Sequence, residues 1–450
     1  MPLKLLPMHQ IRILGWAVTV GLGGFLFGFD TAVISGVEEI IQNLWDLDEF
    51  THGQMMAMAL YGTVIGALAG GWLADAFGRK RMLFWIGVLY LVSAAGSALA
   101  PEVYTLMTAR FLGGLGVGAS SVIAPMYISE IAPAEQRGRL VAIFQFNIVF
   151  GILVALGSNY LFSFFDLVNW RWMLGVEVFP AIAFVFLVLG VPRSPRWLVV
   201  RRGQETEALE VLRSIDAETA EAELARIRAS DLSNSGTGGS LREFFSGAFN
   251  VPIALAFMIA FFNQLSGINA ILYYAPRVFK MAGLEEQSSL LASFGVGAVN
   301  LVFTLLGMLL IDRYGRKKLM YLGSVGYIVS LAAVAVAFYT GNTGTSVPIW
   351  LFVFIASHAV GQGAVIWVFI NEIFPNEYRS FGSSLGSGTH WVFAALITAV
   401  FPIAAAAFSP VVIFGFFAGM MVLQLLWVWR VMPETKGVSL EALQERLIGK

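Results

Sequence analysis

Apolar residues run through this chain in long unbroken stretches separated by short polar words. There is neither the two-residue alternation of a half-buried strand nor the narrow stripe of a surface helix. The stretches fall at 13–36, 55–74, 82–100, 104–128, 139–161 and 172–191. After a polar interval six more follow, at 251–275, 288–311, 319–339, 349–373, 382–405 and 409–430. Each is close to or above the roughly 20 residues that carry a helix across a bilayer core, so the pattern predicts twelve membrane spans. Within the interval, residues 204–230 set Leu209, Leu212, Leu224 and Ile227 among Glu and Arg, which predicts amphipathic helix, and SNSGTGGS at 233–240 has the composition of a flexible linker. The expected organisation is a six-helix bundle over 1–191, a linker over 192–250, a second bundle over 251–432 and a tail over 433–450.

Composition agrees with that pattern, since 58% of residues are hydrophobic and 13% are charged, about half the charge of a soluble domain. This excludes a soluble enzyme and a disordered chain, and unbroken apolar runs exclude an outer-membrane barrel. A net charge of −1 gives no footing for nucleic acid. Cysteine is absent and the four histidines are not spaced as a metal site, so neither a thiolate nor a metal centre is expected. No phosphate-binding loop occurs, and no cofactor is expected.

The placement of charge fixes an orientation. Of 28 Lys and Arg, only Arg171, Arg277 and Lys280 fall in loops after odd-numbered spans, and Arg110 falls in the fourth span; the other 24 lie on one side, with both termini. By the positive-inside bias that side is cytoplasmic, and MPLKLLPMHQ reads as a cytosolic segment before a retained first span. The loops on the other side lack an Asn-x-Ser/Thr acceptor, which accords with a bacterial inner membrane.

The two halves echo each other. GGWLADAFGRKR at 70–81 returns as GMLLIDRYGRKK at 307–318, an offset of 237. Glu130-Ile131-Ala132-Pro133 with Arg137 returns as Glu372-Ile373-Phe374-Pro375 with Arg379, an offset of 242. Parallel repeats of six spans imply that the halves rock about a site at mid-membrane. Turn residues and positive flanks alone would explain Gly-Arg-Lys, but acids at a membrane edge are costly unless paired. The expected network is Asp75, Arg79, Glu130 and Arg137, copied as Asp312, Arg316, Glu372 and Arg379. It would hold a cytoplasmic gate shut and separate when the gate opens.

Asp30 lies inside the first span, where a carboxylate must be paired or protonated, and Arg110 is its best partner. A permanent structural pair is one reading; a proton site that Arg110 approaches and leaves is the other. Amides inside a membrane supply donors and acceptors that are neutral, so they can bind a polar solute without the cost of a buried charge. The intramembrane amides are Gln145, Asn147, Asn159, Asn263, Gln264, Asn269 and Asn300. Asn147 and Asn159 also fit a role as helix glue. Asn263, Gln264 and Asn269 would not meet on a straight helix, and Ser266-Gly267 is where it would bend.

These words, together with PRSPRWL from Pro192, QLSGINAILYYAP from Gln264 and PETKG from Pro433, resemble the sugar porter branch of the major facilitator superfamily over about 13–437. The resemblance implies an all-α polytopic membrane protein with the major facilitator fold, twelve helices in two pseudo-symmetric six-helix bundles. It implies sugar contacts at Gln145, Gln264, Asn269, Asn300, Trp367 and Trp391, and a proton role for Asp30, where purely facilitative members tend to have a neutral residue. Three positions depart from the family. Arg193 stands where Glu is usual, Asn263 where a second Gln is common, and His390 where Asn or Gln precedes Trp391. His390 is open between packing, sugar hydrogen bonding and proton relay. The expected function is import of a monosaccharide, a hexose such as glucose, with a proton by alternating access. The expected partners are sugar, proton and lipid, with the monomer as the working unit. Facilitated uniport is the nearest alternative. A non-transporting sugar receptor would call for a longer cytosolic extension than 430–450, and export of another polar solute would be favoured only if no sugar binds.

Overall fold

In the computed structural model, residues 8–133, 136–165, 169–234, 240–375, 377–438 and 440–448 are described. Among them twelve helices are long and apolar enough to cross a membrane. In the first half these are Gln10–Gly36, Glu49–Phe77, Arg79–Leu99, Val103–Ile131, Arg137–Phe162 and Trp170–Leu189. In the second they are Asn250–Tyr273, Glu286–Tyr314, Arg316–Thr340, Ser346–Glu372, Arg379–Ala407 and Pro410–Arg430. They match the apolar stretches in number and order. Several continue past the apolar run, so Asp75, Glu130 and Asp312 belong to helix ends rather than loops. The second and eighth spans each turn into the next through one glycine, Gly78 (φ 92°) and Gly315 (φ 89°), as a duplicated turn should.

The seventh span is broken where Ser266-Gly267 predicted. One helix runs over Asn250–Leu265 and the next over Ile268–Tyr273, with Gly267 at φ +83° between them. A Cβ there would meet the Phe417 ring at 2.7 Å, so both conformation and space require glycine. The tenth span also changes course, with one wide turn over Ala359–Gly363 between Ser346–His358 and Ala364–Glu372. His358 borders that turn, and its Nδ1 lies 2.5 Å from the Tyr327 hydroxyl, which also donates to Gln362 Oε1 at 3.2 Å.

The halves meet at the end away from the termini. Gly53 of the second span lies so close to the eleventh that a Cβ would sit 2.0 Å from the Ala399 carbonyl oxygen. Arg277, just past the seventh span, donates from Nε and Nη2 to the two oxygens of Glu38 at 2.9 and 2.7 Å. Lys280 donates to Glu39 at 2.7 Å. Glu38 is 1% exposed and also faces His52 Nε2 at 2.9 Å.

The polar interval forms Pro195–Arg202, Glu205–Ile215 and Ala220–Asn234 around a small core of Trp197, Leu198, Leu212, Leu224 and Ile227. Most of the expected flexible linker, 235–239, lies outside the described residues.

Candidate functional site

Three charged groups are sealed inside the first bundle. Arg110 Nη1 donates to Asp30 Oδ1 at 2.8 Å, with Arg110 2% and Asp30 1% exposed. Glu177 of the sixth span, itself 1% exposed, neighbours Asp30, and Asp30 Oδ2 and Glu177 Oε1 have no hydrogen-bond partner among the described residues. Two neighbouring carboxyl groups attract only when a proton lies between them. With both ionised the cluster has one negative charge in excess, and one proton neutralises it. Arg110 Nη2 and Ser93 Oγ, both buried, have no partner among the described residues, so the cluster is not saturated in this arrangement. Asp30 and Arg110 were legible as a pair. Glu177 was not picked out, although an acid in the apolar run WMLGVEVFPAIAF was a sufficient signal.

The second bundle gathers the amides around its broken helix. Gln264 is fully buried; its Nε2 donates to Asn263 Oδ1 at 2.9 Å and lies 3.2 Å from His390 Nδ1. Asn269 Nδ2, past the break, donates to Gln264 Oε1 at 2.8 Å. The unwinding at Ser266-Gly267 lets residues five apart share one cluster. Three rings border it. The His390 centroid is 5.0 Å from that of Trp367 and 4.8 Å from that of Trp391. Phe27 of the first span approaches Trp391 at 5.8 Å, so the two halves meet at this ring. Asn300 is buried on the eighth span and accepts from Thr304 Oγ1 at 3.3 Å, while Gln145 is half-buried on the fifth. Gln145 and Asn300 make no direct bond to the Gln264 cluster among the described residues. Asn159 donates from Nδ2 to Val33 O at 2.9 Å and Asn147 to Ile143 O, so both act between or along helices.

At the end with the termini the repeated words form two ion-pair clusters. Arg79 reaches Asp75 and Glu130, each at 2.9 Å; Arg316 reaches Asp312 at 3.3 Å and Glu372 at 2.7 Å. Each cluster is closed by a hydroxyl from the segment after its bundle: Ser194 donates to Glu130 at 2.5 Å and Thr435 to Glu372 at 2.6 Å. Two members of the expected network stand apart. Arg137 is exposed, and Arg379 lines a cavity of about 490 Å3 with Glu372 and Asn371 and makes no ion pair among the described residues. Both begin the spans that follow the Glu-x-x-Pro words, and the prolines turn the chain away before they arrive. The clusters also differ from the expectation in state. They are intact and each lies within one half, so here they brace a half rather than bridge the two.

The model of the family described as "Sugar (and other) transporter" matches residues 16–447. The chain is 34% identical to an arabinose-proton symporter of Bacillus subtilis, over 98% of this chain and 97% of that protein. It is 35% identical to a D-xylose-proton symporter of Escherichia coli, over 94% and 93%, and 32% identical to a glucose transporter of Staphylococcus epidermidis, over 98% and 97%. Among solved structures it superposes on the inward open conformation of the E. coli xylose transporter with a TM-score of 0.85 at 32% identity, covering 96% of this chain and 99% of that one. Twelve spans, two copies of the same charged words and a match along almost the whole length lead to one assignment: the chain belongs to the sugar transporter family of the major facilitator superfamily, and is a transporter rather than an enzyme.

Proposed function

We propose that this protein imports a monosaccharide together with a proton by alternating access, with a hexose such as glucose as the sugar. The observation that carries the coupling is the sealed cluster of Asp30, Arg110 and Glu177, in which two acids share one guanidinium. An uncoupled carrier has no use for a buried charge imbalance that one proton removes. The sugar's hydroxyls would be met by Gln264, Asn263, Asn269, Asn300 and, across the cleft, Gln145, and its ring face by Trp367 and Trp391. His390, in contact with Gln264, reads as a sugar hydrogen-bonder. Bonds among Asn263, Gln264 and Asn269 keep these three engaged before sugar arrives, and sugar would exchange one set of bonds for another.

The Lys/Arg bias supports cytoplasmic termini, and on that reading the closed end with Glu38 and Arg277 is the outer one, as in an inward-facing stage. The relatives' names include proton symporters for pentoses and a glucose transporter, which supports the reading at the level of monosaccharide. Uptake by proteoliposomes, with labelled arabinose, xylose and glucose and with or without an imposed proton gradient, tests it. Accumulation above equilibrium only with the gradient is expected for one of the sugars. A gradient-independent approach to equal concentrations would replace symport by uniport, the reading in which the 2.8 Å pair of Asp30 and Arg110 never opens. Asp30→Asn is expected to abolish accumulation and to spare exchange of sugar for sugar.

A further inference from the structure

Where the sixth span ends and the third begins, a cavity of about 410 Å3 opens at the end that carries the termini. Its lining holds five cations, Arg79, Lys80, Arg81, Arg193 and Arg202, and no carboxylate. Arg79 is committed to Asp75 and Glu130, and Arg193 reaches Glu207 at 3.3 Å with both groups exposed. The other three have no ion pair among the described residues. Lys80 donates to the Leu189 carbonyl at 2.8 Å, Arg202 lies 5.0 Å over the Trp197 ring, and Arg81 is exposed.

The second half supplies an internal comparison. Pro192-Arg193-Ser194 and Pro433-Glu434-Thr435 occupy equivalent places, because Ser194 closes on Glu130 as Thr435 closes on Glu372. In the second half the Glu434 carboxylate accepts the backbone N–H groups of Arg316 at 2.9 Å and Lys317 at 3.0 Å, at the start of the ninth span. In the first half the corresponding position is Arg193, and among the described residues no carboxylate lies at the matching start of the third span to accept the backbone N–H groups of Arg79 and Lys80. The same helix start thus meets an anion in one copy and a cation in the other. Removing the built-in carboxylate and adding a guanidinium leaves amide groups and cations turned toward an anion from outside the chain.

The position of the cavity narrows which anion. It lies at the ends of two spans, at headgroup depth. Phe77 (46% exposed) and Leu189 (53%) border it, and Trp85, one turn from Arg81, and Phe186, one turn from Leu189, are also exposed as lipid-facing rings are. We propose that this cavity binds the phosphate of an anionic phospholipid, held by Lys80, Arg81, Arg193 and Arg202, with its acyl chains along Phe77 and Leu189. Basic pockets between helix ends at a cytoplasmic face are suited to such headgroups.

Native mass spectrometry of the full-length protein, titrated with phosphatidylglycerol or phosphatidylcholine, tests the site. Preferential retention of phosphatidylglycerol is expected. Each cation near a lipid phosphate changes affinity about five-fold, so Arg193→Glu, a change of two charges, should weaken phosphatidylglycerol about twenty-five-fold. If that variant does not fold, the paired variant Arg81→Gln, Arg202→Gln should weaken it about twenty-five-fold. Equal retention of the two lipids, or selective retention that neither variant reduces, overturns the site. Millimolar inorganic phosphate that displaces phosphatidylglycerol, or that raises the melting temperature without lipid, overturns the lipid assignment in favour of a soluble anion.

Discussion

Glu38→Gln removes the one negative charge on which Arg277 and His52 converge between the halves. The Glu38 side chain is 1% and that of Arg277 14% exposed, and their bidentate bonds are 2.9 and 2.7 Å. Breaking a buried pair by removing one partner costs roughly 3–5 kcal/mol. Gln retains hydrogen bonding, and Arg277 keeps Gln42 as a partner and Glu39 at 4.0 Å, so the net effect on the closed end should be about 2–3 kcal/mol. If that loss applies only to the arrangement closed at this end, the population open there rises about 30- to 150-fold. The chain contains no cysteine, so a single Ala399→Cys, at the contact with Gly53, reports opening without background. Labelling by a membrane-impermeant maleimide should accelerate by at least an order of magnitude in the Glu38→Gln protein, or reach the plateau of a fully accessible thiol. A change of less than three-fold would refute the view that this pair holds the end shut.

Four further outcomes follow. Glu177→Gln removes one of the two acids facing Arg110, and proton uptake measured alongside sugar uptake should fall while exchange persists; unchanged proton flux would remove Glu177 from the coupling. Gly267→Ala places a Cβ 2.7 Å from the Phe417 ring at φ +83°, and it should lower the detergent melting temperature, reflecting strain of about 1–3 kcal/mol, together with uptake. Gln264→Ala deletes the group joining Asn263, Asn269 and His390, and sugar affinity should weaken at least ten-fold by equilibrium binding. Glu102 accepts hydrogen bonds from the Thr105 side chain and the Tyr104 amide, which hold its carboxyl below the ordinary range. Its contribution to the fourth span's start is therefore present above the unfolded value of about 4.3 and lost as pH falls through the lower folded value. Amide exchange at Tyr104 and Thr105, corrected for the intrinsic rate, should report that loss only below pH ~4.

Much of this fold is legible because charge is scarce. With few charged residues, each one marks a helix end or a special site, so twelve spans and the duplicated words could be read directly. The break at Ser266-Gly267 was legible for a local reason, since a serine and a glycine interrupt a helix whose amides would otherwise point apart. Partnerships between the two halves were not. Arg277 and Glu38 are 239 positions apart, and nothing in either neighbourhood names the other. Each is an ordinary loop charge until the halves close. The repeated words led to an expected four-residue network, but repetition does not say whether a network lies within a copy or between copies. Only three of each four residues meet, and they meet inside one half. Glu177 failed for another reason: it lay in plain view in the sixth apolar run and was absorbed into it.

The bracing of Arg79 with Asp75 and Glu130, and of Arg316 with Asp312 and Glu372, bears on how work is divided along the molecule. Bonds internal to a rigid body need not change length when that body turns. A rotation of one bundle against the other can leave both clusters whole, so they lend stiffness without adding to the barrier. If the halves alternate as proposed, the contacts that must come apart lie at the opposite end, where Arg277 and Lys280 cross to Glu38 and Glu39. The machine is therefore a pair of stiffened levers with a detent at one end. Screening by external ions should slow or hasten only the stroke that releases the detent, acting chiefly through the more exposed Lys280–Glu39 pair.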